Sequence, residues 1–163
     1  MSYTAIASQT LGSSASSVTF SSIPGTFRDL VLVVNAWATS GSNQETLRFN
    51  SNSSGYNMVT MRGDGSATSS FSYANQAKLY VDGNNNSIST SNDHVSIVQI
   101  LDYAQTDKHK SVLWRSDTAS ISTVATAGRW ANTAAITSLE IGIEGGGGNF
   151  AAGSTFSLFG VSA

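Results

Sequence analysis

The chain is patterned in short alternations. Val, Ile, Thr and aromatic residues recur at every second position, and clusters of Gly, Asn, Asp and Ser interrupt them at roughly 8–12-residue intervals. A period of two belongs to strands with one buried face, and the 3.6-residue period of a helix is nearly absent. Tyr3–Leu11 and Ser17–Ser22 read as opening strands on either side of Gly12-Ser13-Ser14. The single proline, in Ile23-Pro24-Gly25, marks a sharp break. Asp29–Ala38 then holds the most apolar run, Leu30 to Val34, which suggests a central strand covered on both faces. Glu45–Asn50 and Tyr56–Arg62 read as a hairpin over the loop Ser51–Gly55, with Leu47, Phe49, Met58 and Met61 pointing inward. Gly63-Asp64-Gly65 is a turn, Ser66–Ser72 an irregular loop, and Lys78–Asp82 a short strand ending in Gly83-Asn84-Asn85-Asn86. Val95–Tyr103, Lys110–Ser116, Ile121–Ala127, Ala135–Ile143 and Ser154–Val161 complete the set.

About ten or eleven short strands with regular turn signals predict an all-β fold, a single antiparallel β-sandwich that is jelly-roll-like. No fixed-period repeat and no Pro- or charge-rich linker divides the chain, so residues 1–163 are expected to form one domain.

Composition narrows the chemistry. Charged residues make up 11%, against roughly 25% in an ordinary soluble domain, and the net charge is −2 from eight basic and ten acidic residues. No basic stripe is present to neutralise phosphates, so nucleic acid is not an expected partner. A surface of Ser, Thr, Asn and Gln suits sugars or wide protein contacts, and it is insensitive to salt. There are no cysteines, which excludes disulfides, thiolate metal sites and a cysteine nucleophile. The N-terminus lacks the pattern of a signal peptide, and the longest apolar run is too short to span a bilayer by a helix. Synthesis in a cytoplasm, with no membrane partner, is the expectation.

Candidate chemistry is sparse. His94 and His109 lie beside loop residues without metal spacing and read as lone surface histidines. No Gly-x-Ser-x-Gly elbow localises a nucleophile. Asp102 and Asp117 fall near the ends of neighbouring strands, but a glycosidase pair needs carboxyls some 5–9 Å apart in a cleft, and the chain offers no aromatic-flanked pair. Asp82, Asn84, Asn86 and Asp93 stand at calcium-loop positions 1, 3, 5 and 12. Ser87 replaces the glycine of position 6 and no helices flank the loop, so a solvated Asn-rich turn is the preferred reading. Arg62-Gly63-Asp64 spells an adhesion tripeptide in what is more simply a turn. Asn52-Ser53-Ser54 and Asn85-Asn86-Ser87 are glycosylation sequons, expected to stay silent without a signal peptide. Gly145–Gly148 lacks the features of a phosphate loop and reads as a loop whose backbone can approach a neighbour closely. Trp37 and Trp114 sit within apolar alternations and read as core, whereas Trp130, after Gly128-Arg129 and before Asn132, is the tryptophan expected nearest the surface.

Several segments resemble small virion proteins and fibre-end domains of tailed bacteriophages: Ser22–Leu30, Leu47-Arg48-Phe49-Asn50 with Ser54-Gly55-Tyr56-Asn57, Leu101-Asp102-Tyr103-Ala104 ahead of Lys108–Lys110, Trp130–Leu139, and Asn149–Val161. The chain departs from the resemblance in two places. Ser51-Asn52-Ser53 stands where an Asp or Gly is expected, and Phe159 stands where a tyrosine is usual.

The resemblance implies a virion setting and no catalytic residues or cofactor. With no length left for a fibre shaft, it points first to a capsid decoration (cement) protein that binds the outer shell and bridges major capsid protein subunits. The resemblance also implies self-association as a trimer at three-fold positions. Contact is expected through the N-terminal segment (Ser2, Tyr3, Thr4 and onward to Gln9), through Gly145, Gly146, Gly147 and Asn149, and through Asn84–Asp93, since termini and Gly/Asn-rich loops can order on a partner. The alternative is a fibre-tip module binding a host-surface glycan through Arg129, Trp130 and Asn132, with the Asp82–Asn86 loop beside them.

Overall fold

The computed structural model describes residues 2–41, 43–81, 88, 90, 94–118 and 122–162. Twelve strands follow in chain order: β1 (Ser2–Thr10), β2 (Ser17–Phe20), β3 (Asp29–Ala36), β4 (Asn43–Phe49), β5 (Tyr56–Gly63), β6 (Thr68–Gln76), β7 (Leu79–Tyr80), β8 (His94–Leu101), β9 (Lys110–Thr118), β10 (Ser122–Trp130), β11 (Leu139–Gly145) and β12 (Thr155–Ser162). They form an eight-stranded sheet, β1-β12-β3-β8-β9-β10-β5-β6, and a four-stranded sheet, β2-β11-β4-β7. All pairings are antiparallel.

The expected all-β antiparallel sandwich is present, and its topology resolves into a jelly roll with additions. Without β5, β6, β9 and β10, the strand orders are β1-β12-β3-β8 and β2-β11-β4-β7, the interleaved order of two Greek keys. The hairpins β5–β6 and β9–β10 are insertions in the chain, and β5 pairs with β10 so that both extend the same sheet past β8.

Two expected local features differ. Glu45–Asn50 and Tyr56–Arg62 do not form a hairpin: β4 lies in the small sheet and β5 in the large one. Phe49 and Tyr56 therefore face each other across the core, where the Tyr56 hydroxyl accepts a 2.8 Å hydrogen bond from the Phe49 amide. The chain reverses at Asn50 and Ser51, both left-handed at φ 50° and 54°, before it crosses. Ser66–Ser72, expected as irregular loop, contributes to β6, because pairing with β5 supplies the ladder that its serine-rich sequence does not advertise.

One core fills the space between the sheets. Leu30, Leu32, Val34 and Ala36 of β3 meet Leu47 and Phe49 of β4 and Leu139 and Ile141 of β11 within one cluster. Trp114, Trp130 and Tyr56 extend that core beneath the inserted strands. Met61 does not join it. On a strand, Met58 and Met61 cannot share a face, and with Met58 inward Met61 is 61% exposed. The start and end of the roll are tied at Gly160, where any side chain would strike the Phe27 ring.

Candidate functional site

Alternation along the eight-stranded sheet decides what its outer surface carries. Where even positions of β9 and β10 point inward (Val112, Trp114, Val124, Thr126), odd ones point out. Cross-strand register sets Leu113 of β9 beside Ala127 of β10, and Ala127 beside Val59 of β5. One step along the strands, Arg115, Ala125 and Met61 form a parallel row that Ile97 of β8 continues. Val59, Met61, Val95, Leu101, Leu113 and Tyr3 are the large apolar side chains left exposed among the described residues, and all lie on the eight-stranded sheet. A shallow depression of about 660 Å³ over the insertion is lined in part by Met61, Ser70, Thr123 and Ala125. A second includes Val59, Ser72 and Ala127, and a third Val95, Ile97 and Arg115.

The outer surface of the small sheet is different in kind. Arg48 and Glu140 form a two-pronged ion pair there at 2.7 and 2.9 Å, and Lys78 meets Glu144 at 2.6 Å. The outer surface of the small sheet thus presents paired charge to water, while that of the eight-stranded sheet presents mainly apolar and hydroxyl groups, with charge at Arg115, Asp117 and Arg129 and an Arg28–Asp29 ion pair at the start of β3.

The proposed glycan trio is not assembled. Arg129 is exposed, but Trp130 follows it on the strand and points the other way, 1% exposed. Its ring stacks on Tyr56 at 6.1 Å and 14° and lies 5.7 Å from Phe49. Asn132 accepts from the Ala134 amide and so caps its own turn. The tryptophan that is only half-buried is Trp37, expected in the core, which packs against Gly153. The parity Val124, Thr126, Gly128, Trp130 already points Trp130 inward once the strand is extended to its observed end.

The nominated contact residues lie at opposite ends of the sandwich. Ser2, Tyr3 and Thr4 are exposed on β1 opposite Ser162, Val161 and Gly160. Gly145, Gly146, Gly147 and Asn149 are also exposed, but they pack on the loop after β3 at its other end. There the Thr39 amide donates to the Asn149 carbonyl at 2.8 Å and the Gly148 amide to Asn43 Oδ1 at 3.1 Å. A side chain at Gly148 would strike the Ser40 carbonyl, so the run's close backbone approach is to its own chain. Asp82, Asn84, Asn86 and Asp93 lie outside the described residues.

Other candidates resolve into structure. Asp117 pairs with Val95 and Asp102 follows Leu101, which pairs with Ser111, so the two acids sit at opposite ends of the β8–β9 ladder, about 20 Å apart. That is too far for the carboxyl pair of a glycosidase. Asp64 of Arg62-Gly63-Asp64 is exposed at the β5–β6 turn. Hydrogen bonds from the Ala67 and Ser66 amides and the Ser66 hydroxyl hold its carboxyl down at about 2. Among the described residues no group of three or more His, Asp or Glu could hold a metal ion.

His109 is exposed as expected, but His94 is not a surface residue. It is fully buried against Glu45, with Nε2 and Oε2 at 2.9 Å. Burial alone would lower its pKa, but the Glu45 charge and hydrogen bond, with the Asp117 carbonyl, raise it on balance. Lys110 is also fully buried, and its ammonium donates to the carbonyls of Gln105, Lys108 (3.1 Å) and Thr133 (3.2 Å). Burial lowers its pKa, while Asp107 and Asp102 act against that.

The segments that carry the resemblance serve as ties between loops. Asn50 Oδ1 accepts from the Thr137 and Ser138 amides, and its Nδ2 donates to the Ala135 carbonyl. The Tyr103 hydroxyl donates to the Pro24 carbonyl, and Asp29 accepts from the Asp102 amide at 2.9 Å. No protein-family model and no curated protein matches the chain.

Proposed function

We propose that the chain is a structural protein of a bacteriophage virion, a decoration protein that binds the outside of the capsid and bridges neighbouring major capsid subunits. The virion setting rests on the sequence segments that resemble phage proteins. One observation of the fold supports the contact role: the large exposed apolar side chains among the described residues all lie on the eight-stranded sheet, while the outer surface of the small sheet carries the Arg48–Glu140 and Lys78–Glu144 pairs. Leu113, Val59 and Met61, on strands added to the jelly roll, give the insertions a purpose as an enlarged docking face. A shell subunit of matching apolar and hydroxyl character would bury that face, and the domain's low charge would keep the contact tolerant of salt.

The fibre-tip reading loses its stacking platform with the burial of Trp130, and no other observation favours it over shell binding. Copy number in the purified virion tests the role. A decoration protein is present in proportion to the shell subunits, whereas a count matching the tail fibres would reject it.

A further inference from the structure

The small sheet has four strands and the large one eight, so the margins of the large sheet lie beyond the cover of the small one. β1 forms one margin. Eight of its nine residues are exposed, and Ile6 alone is half-buried and packs against the core. β6, at the other margin, keeps three half-buried residues, Phe71, Tyr73 and Gln76, with Tyr73 packed against the core. Every other strand buries at least one of its described residues, so β1 has the least side-chain burial of the twelve. It is held by its ladder with β12, which shifts register between Ala5 and Ala7, and by one exposed hydroxyl contact, Ser8 to Ser157 at 2.9 Å. Ladder bonds replace bonds to water and add little net stability, whereas ordering the strand costs backbone entropy. A strand with no buried face to offset that cost opens locally, before the fold as a whole does. The residue after β1 marks where such opening stops. Leu11 is buried, its amide donates to the Ser154 carbonyl at 2.9 Å, and its carbonyl accepts from the Gly153 amide at 2.7 Å.

We infer that β1 is a releasable strap: Ser2–Thr10 leaves the edge of β12 and returns to it while the other strands stay paired, with Leu11 as the fixed point. Closed, the strap covers an edge of a kind that recruits other strands. β12 has eight residues with no charge and no proline, and it carries Phe156, Leu158, Phe159 and Val161. Open, the strap bares the backbone amides and carbonyls of β12 on that side, from Thr155 to Ser162. The strap therefore sets how often this edge is accessible. The inference concerns the chain by itself and does not depend on the shell-binding reading.

Residue-resolved amide hydrogen exchange on the full chain, followed by NMR, tests it. Successive amides of β12 point alternately to β1 and to β3, so one strand carries both the probe and its control. The amides facing β1 should exchange with those of β1, at least about 100-fold faster than the amides facing β3, which wait for global unfolding. Ile6→Ala removes the one side chain that packs the strap down. It should speed the fast class about tenfold or more and leave the β3-facing class and the thermal midpoint unchanged. Ser8→Cys with Ser157→Cys places a bridge between directly opposed residues in a chain that has no other cysteine. Once oxidised, that variant should bring the β1-facing amides down to the rate of the β3-facing ones. Equal rates for the two classes in the native chain would overturn the inference. So would an Ile6→Ala effect shared by both classes, or a fast class that persists with the bridge formed.

Discussion

Glu45 of β4 and His94 of β8 meet at 2.9 Å with both side chains fully buried, and their ion pair joins the two sheets through the core. The Asp117 carbonyl accepts from the same imidazole, and the Asp117 carboxylate adds further negative potential. With the hydrogen bond from the Phe49 amide to the Tyr56 hydroxyl, this pair ties the small sheet to the large one through the core.

Removing one partner should cost more than removing both. His94→Ala leaves a buried carboxylate without its cation and should destabilise the fold by about 3–5 kcal/mol. The double variant Glu45→Met, His94→Leu should lose clearly less, and a denaturant double-mutant cycle measures the difference.

The same pair predicts a pH dependence. The folded state raises the His94 pKa above its ordinary 6.5, so the folded protein holds the proton more tightly than the unfolded chain. That stabilisation is complete below the ordinary value and is lost as pH rises through the raised one. The thermal midpoint should fall as pH rises above the ordinary value of 6.5, and the fall should be absent in the double variant.

Trp130 is a core residue in this account. Trp130→Ala empties a site against Tyr56 and Phe49 and should cost about 3–5 kcal/mol, read as a lower denaturation midpoint. Arg129→Ala, on the exposed neighbour, should leave stability nearly unchanged. Equal small effects from both would contradict the inward orientation.

Ser51 holds a left-handed backbone at φ 54°, which costs an L-residue about 1–2 kcal/mol and glycine almost nothing. Part of that gain is offset by glycine's greater unfolded-state entropy. Ser51→Gly should therefore raise the thermal midpoint by about 2–4 °C, followed by calorimetry.

Much of this fold could be read from the alternation of residues, and the failures have identifiable causes. Asp29–Ala36 was legible from its unbroken apolar run Leu30–Val34, and Thr155–Ser162 from Phe156 and Leu158 set two positions apart. β6 was not, because Thr68-Ser69-Ser70 on an edge strand buries nothing and leaves no hydrophobic trace. The β4–β5 hairpin was misread because neighbours in sequence can pair side by side or face to face, and local pattern does not separate the two. Ser51, noted as a departure from the expected Asp or Gly, does occupy a position that favours those residues. His94 and Lys110 escaped because burying a titratable group depends on partners distant in sequence, Glu45 for one and the Thr133 carbonyl for the other. The exposed apolar face followed from parity in principle, since Val59 and Met61 are both out of phase with Tyr56 and Met58.

The proposed docking face is tested most directly by occupancy on phage shells, the partner that the proposed function names. Met61→Asp with Leu113→Asp places two carboxylates on an outer face where both native side chains are already exposed, 61% and 42%, so folding should be unaffected. Cosedimentation with shells should show saturable binding by the native chain and none by the double variant at an equal thermal midpoint. Native occupancy retained by the variant, or no binding by the native chain, would contradict the account.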